Sequence, residues 1–256
     1  MPARLLVIQH EPACPPGWFG EWLTRADLEL DVLDAAEGRA IPARLDGYGG
    51  LLVLGGRMGA GDDAEHRWLA PTKALIATTV LSGTAFLGIC LGHQLAAAAL
   101  GGEVAPNPRG RTRGLVPFTP TSAVRADPLL GGVRPGSPAL HHNNDIVTRL
   151  PRGPVQVLAT APDGSCQAVR LGPRAWGVQF HPEAGPEIFE VWVRAEQARE
   201  REAARAGASG AARTPDDDGT LVTAQVFGQE AALRRAWGPV ARRFAHLVTE
   251  AAEAPA

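Results

Sequence analysis

The chain has 256 residues, enough for one large or two small domains and for a core that needs no staples. Its 25 basic and 27 acidic side chains leave a formal net charge of −2, which excludes the basic excess of a general nucleic-acid binder. A hydrophobic share of 45% excludes wholesale disorder, and the 30 glycines and 22 prolines keep no three-residue period, which excludes collagen.

In chain order, residues 4–9 read as a buried strand and 17–26 as a short helix offering Trp18, Trp22 and Leu23 to one face. Residues 28–33 alternate apolar and acidic side chains, the pattern of a half-exposed strand. The apolar run 51–54 is ended by Gly55-Gly56. A helix is expected over 65–81, with Pro71 in its first turn or breaking it. A strand over 84–89 then runs into an Ala-rich helix over 91–100, closed by Gly101-Gly102. This β-α-β rhythm predicts an α/β fold with a mainly parallel central sheet and helices on both faces. From 102 to 182 the runs turn short and strand-like, with consecutive strands over 155–161, 166–171 and 175–180. A charged helix follows Pro186 to about 205, then a linker or loop near 206–219. A final helix over 221–252 should kink at Gly238-Pro239. The expected organisation is one domain over 1–256, with a catalytic core over 1–185 and a C-terminal helical extension over 186–256.

Cys14, Cys90 and Cys166 are odd in number and not at metal-ligand spacing, so neither a disulfide framework nor a zinc site is indicated. No signal-peptide pattern opens the chain, and no stretch nears the roughly 20 apolar residues of a membrane helix. The expectation is a soluble cytoplasmic protein without membrane or nucleic-acid partners.

The informative stretch is Gly88-Ile89-Cys90-Leu91-Gly92-His93-Gln94. A strand turning sharply into a helix at Cys90 leaves no room for Cβ atoms two residues to either side. This is a nucleophile elbow with cysteine in place of serine. The helix N-terminus favours thiolate, and the N–H of Leu91 is available to an oxyanion. His181-Pro182-Glu183 lies 91 positions after the cysteine. A carboxylate on one imidazole nitrogen would set the tautomer and leave the other nitrogen as base toward the thiol.

Together with Leu54-Gly55-Gly56, Gln167-Ala168-Val169-Arg170 and Trp176-Gly177-Val178-Gln179-Phe180, these motifs resemble the class I glutamine amidotransferases. The nearest subtype is the glutaminase module of GMP synthases and its stand-alone relatives. The resemblance spans residues 4 to about 183. It implies a flavodoxin-like fold and a Cys90-His181-Glu183 triad that hydrolyses the glutamine side-chain amide. It also implies oxyanion donors at the N–H groups of Gly56 and Leu91, and substrate contacts from Gly55, Gln94 and Asn143. No cofactor and no metal are implied. The partners are glutamine or another γ-glutamyl amide, and a separate synthetase that accepts the ammonia.

Three departures stand out. Arg57 replaces the usual proline; Thr112 and Arg113 replace an acidic and an apolar residue; and Asn143 falls where relatives carry a histidine, or the loop is shifted by one. Neither a pyrophosphatase loop nor a P-loop is present to receive the ammonia. Two other readings stand beside the first: a stand-alone γ-glutamyl amide or peptide hydrolase, and a catalytically silent regulatory binding module.

Overall fold

A computed structural model of the chain describes residues 2–205 and 219–253. The linker expected near 206–219 lies, Gly219 excepted, outside the described residues. Strands β1 (Ala3–Gln9), β2 (Leu28–Asp34), β3 (Gly50–Val53) and β4 (Ala85–Ile89) alternate with helices α1 (Gly17–Thr24), α2 (Leu69–Leu81) and α3 (Leu91–Ala99). Next come β5 (Glu103–Pro106), β6 (Thr112–Pro117), β7 (Pro138–Asn143), β8 (Asp145–Arg149), β9 (Gln156–Thr160), β10 (Cys166–Gly172) and β11 (Ala175–Val178). Helices α4 (Pro186–Arg205), α5 (Thr220–Gly228) and α6 (Glu230–Glu253) close the chain.

The central sheet has seven strands in the order β2-β1-β3-β4-β11-β10-β9. From β2 to β11 every pairing is parallel, and β10 pairs antiparallel with both of its neighbours. Each crossover helix covers one face, so the inner strands are buried on both sides and read as unbroken apolar runs. The two-residue period sorts their side chains. Leu5, Val7, Leu52, Leu87 and Ile89 join a core with α1, α4 and α6, whereas Leu6, Ile8, Leu51, Val53 and Phe86 join one with α2 and α3.

Pro71 falls in the first turn of α2, where its missing N–H costs nothing. The C-terminal reading needs correction. The expected single helix is two, broken at Gln229, whose N–H donates to Val226 O at 3.0 Å. Helix α6 runs on through Gly238-Pro239. Its buried Trp237 packs on Phe180 at 4.5 Å between ring centroids and donates its indole N–H to Pro138 O at 2.8 Å. The helix thereby braces the chain that leads into His181. Two small sheets, β5-β8 and β6-β7, flank the C-terminal end of the parallel strands and carry His142 and Asn143.

Candidate active site

Cys90 is the hinge between β4 and α3. Its N–H donates to Val178 O at 2.8 Å, extending the β4–β11 ladder by one residue, and the chain then reverses into the helix. The reversal puts Cys90 at φ 49°, a region that only Asp27 shares among the described non-glycine residues. Such a conformation costs about 1–3 kcal/mol and persists only where its surroundings enforce it. The two glycines enforce it here. A Cβ on Gly88 would lie 2.6 Å from the Gly92 carbonyl carbon, and one on Gly92 would run into the Val53 carbonyl oxygen. The N–H of Leu91 opens α3 and has no intrahelical acceptor.

His181 follows β11, and its own N–H donates to Leu140 O at 2.7 Å. Its Nδ1 is 2.8 Å from Glu183 Oε1, and both side chains are buried. The Glu183 carbonyl accepts from Trp18 N at 2.8 Å, so α1 pins the carboxylate's backbone. The second imidazole nitrogen, Nε2, is buried without a hydrogen-bond partner. Burial by itself would depress the imidazole's pKa, but Glu183 and Cys90 outweigh it and raise the value to about 10. Both neighbours thus favour a proton on the imidazole. Gly55 lies between the two: a Cβ there would be 2.9 Å from His181 Cε1 and 3.6 Å from Cys90 Cβ.

A cleft of about 420 Å³ opens above the sulfur, lined by Cys90, His181, Gly56, Gln94 and Asn143 among others. Glu183 stands behind His181. Gly55 and Leu91 are not among the lining residues; where a substrate contact was expected of Gly55, its backbone lies against the Cys90 and His181 side chains. The Gly56 backbone packs on Leu91, with a would-be Cβ 3.1 Å from Leu91 Cδ2. The two segments expected to carry the oxyanion donors are thus in contact. Asn143 Nδ2 donates to Asp145 O at 3.1 Å, and its Oδ1 meets His141 Nδ1 at 3.3 Å. His141 and His142 alternate along β7: one is buried against Gln167, the other lines the cleft.

The departures noted in the sequence have physical counterparts. The N–H of Arg57, which a proline would lack, donates to Glu11 Oε1 at 2.8 Å and ties the Gly55-Gly56 loop to the end of β1. Arg111 and Arg113 are not free for a substrate carboxylate. Both pair with Glu196 of α4, and Arg111 also pairs with Glu200 at 2.9 Å. Sequence reasoning missed Glu196, Trp192, Glu11 and Gln179. Trp192 packs against His181, tilted by 57° at 4.5 Å between centroids, and donates to Ala13 O at 2.7 Å. Trp192 and Glu196 stand one helical turn apart, which was the available signal. Cys14 also lines the cleft and donates to Glu11 Oε1 at 3.7 Å. Burial and the Glu11 carboxylate push its thiol far up, so it stays protonated.

The Glutamine amidotransferase class-I family model matches residues 23–193. The chain belongs to the class-I glutamine amidotransferase family. It is 36% identical over 185 residues to a GMP synthase (glutamine-hydrolyzing) of Aeropyrum pernix, an alignment covering 69% of this chain and 34% of that enzyme. It is 39% identical over 114 residues to a glutamine-hydrolyzing GMP synthase subunit of Sulfolobus acidocaldarius, covering 42% of this chain and 58% of that one. The chain therefore spans a third to somewhat over half of these relatives. A glutamine amidotransferase of Thermotoga maritima superposes with a TM-score of 0.78 at 22% identity, covering 96% of this chain and 99% of that one. One of Methylobacillus flagellatus gives 0.78 at 24%, covering 100% and 98%. The shared fold thus extends past the family match into the C-terminal helices. Among the described residues no helix is long and apolar enough to cross a membrane.

Proposed function

We propose that this family member hydrolyses the side-chain amide of glutamine at Cys90 and passes the ammonia to a separate synthetase. The observation that carries the reading is a cysteine at φ 49° heading α3, in one cleft with an imidazole whose far nitrogen is bonded to Glu183. His181 Nε2 takes the thiol proton, and the sulfur attacks the amide carbon. The oxyanion is met by the N–H groups of Leu91 and Gly56. His181 returns the proton to the amide nitrogen, the C–N bond breaks, and ammonia leaves a γ-glutamyl thioester. Water, deprotonated by His181, attacks the thioester and frees glutamate and the thiolate. Glu183 holds the imidazole tautomer throughout, Gln94 and Asn143 read the substrate, and Gly55 lets the loop approach the dyad. No metal or cofactor takes part in this half-reaction. The separate acceptor follows the analogy of relatives named as glutamine-hydrolyzing subunits of GMP synthase. The expected setting is the cytoplasm, where thiols stay reduced.

One observation favours a second reading, cleavage of larger γ-glutamyl amides or peptides. The cleft, at about 420 Å³, falls among sites that take drug-sized ligands. A panel with purified protein separates the two: ammonia and glutamate from glutamine, and free amine from γ-glutamyl amines and peptides. Glutamine should turn over fastest. Peptide turnover far above glutamine would transfer the assignment to a γ-glutamyl hydrolase, and no turnover or acylation with any substrate would leave a silent binding module.

A further inference from the structure

Behind the nucleophile lies a buried chain of amides with a fixed direction. Gln179 follows β11, and its Nε2 donates to Cys90 Sγ at 3.5 Å. Its Oε1 accepts from Gln94 Nε2 at 3.2 Å. The same Gln94 nitrogen donates to the Asp145 carbonyl at 2.9 Å, which Asn143 Nδ2 also reaches. Gln179 and Gln94 are 2% and 4% exposed, so water does not compete for these bonds.

A backbone carbonyl only accepts, so the Asp145 oxygen admits only the NH2 end of Gln94. That NH2 group offers its second hydrogen to Gln179, which must answer with its oxygen. The NH2 of Gln179 is left facing the sulfur. One carbonyl thus sets the orientation of two side chains and aims a donor at the reacting atom.

We propose that Gln179 is a further catalytic residue, whose Nε2–H stabilises the Cys90 thiolate, and that Gln94 and the Asp145 carbonyl are positioning groups that keep this donor turned toward the sulfur. The inference rests on Cys90 being the nucleophile. A hydrogen bond to a charged acceptor is worth more than one to a neutral acceptor. The donor therefore favours thiolate over thiol, together with the head of α3 and His181. A thioester sulfur is a poor acceptor, so the effect falls on the thiolate twice, as attacking group and as leaving group. Gln94 thereby acquires a task besides the substrate contact expected of it.

The test is the pH profile of Cys90 alkylation by iodoacetamide, with the labelled peptide identified, in the parent, Gln179→Met and Gln94→Met. Methionine keeps the length of the side chain and removes both amide ends. In Gln179→Met the alkylation midpoint should rise by about one pH unit, so labelling below the parent's midpoint slows roughly tenfold while the alkaline plateau is kept. Gln94→Met leaves the donor in place but unlocked, and should shift the midpoint the same way by less. It also keeps the inference testable should Gln179→Met not fold. A purely structural role would lower the melting temperature and leave the midpoint where it is. Midpoints in both variants matching a parent labelled at Cys90 would overturn the inference alone. A parent labelled elsewhere, with Cys90 untouched, would overturn the nucleophile assignment and the inference with it.

Discussion

A cysteine at φ 49° has its side chain thrown clear of the strand it leaves and of the helix it starts. The conformation depends on two missing Cβ atoms, and Gly92 is the less forgiving site because the Val53 carbonyl oxygen belongs to the neighbouring strand. Gly92→Ala should therefore destabilise the fold by about 3 kcal/mol or more, read as a lower urea midpoint. Unchanged stability would mean the elbow is looser than its geometry requires. The proposed triad predicts a graded loss of ammonia release. Cys90→Ala should abolish it, His181→Ala should nearly do so, and Glu183→Gln should cost roughly 10²-fold, since it removes orientation but not the base. Full activity in Cys90→Ala would refute the mechanism. Titration gives a third expectation. Burial, with His66 nearby in the case of His10, lowers His10, His93 and His141 from 6.5 to about 4. These histidines bind protons on unfolding within that interval, so their stabilisation is complete above pH 6.5 and is lost as pH falls through about 4. His181, raised to about 10, runs the other way: its contribution is complete below pH 6.5 and is lost as pH rises through about 10. Denaturation midpoints should peak near pH 6.5 and fall on both sides. A flat profile between pH 4 and 6.5 would contradict the buried neutral histidines.

Strands and helices whose faces are set by local pattern were legible in the sequence. β1, β3 and β4 are apolar runs bounded by polar or glycine residues, and the head of α3 is marked by the two glycines around Cys90. What local pattern does not hold is which elements meet. The β6-β7 and β5-β8 pairs bring together residues far apart in sequence, and α4 reaches across the cleft to pair Glu196 with Arg111 and Arg113. The C-terminal extension was read as one helix for a related reason: its interruption falls at Gln229, which no proline marks, whereas Gly238-Pro239, where a kink was expected, lies inside α6. Trp237, two residues before that proline, fills the space between β7 and Phe180. Trp237→Ala should cost about 3–5 kcal/mol and lower the melting temperature accordingly. A loss below about 1 kcal/mol would mean that α6 adds little to the core it covers.

At the scale of the whole molecule, the sheet order places β4 and β11 side by side, so one sheet edge presents Cys90 and His181 together although 91 positions separate them. Ligands of open α/β sheets bind outside the carboxyl ends of the strands, and the cleft lies there. The grouping of Cys90, His181 and Glu183 was therefore legible from two short motifs, whereas the contacts of Gln179, Trp192 and Glu11 are ones that only the fold creates. The most direct test of the central claim is an intact-mass and peptide-mapping measurement after exposure to a glutamine-analogue electrophile, with and without competing glutamine. The proposed mechanism predicts a single adduct on Cys90, slowed by glutamine and absent from Cys90→Ala, with Cys14 and Cys166 unlabelled. An adduct on Cys14, or labelling of Cys90 that glutamine does not slow, would contradict it.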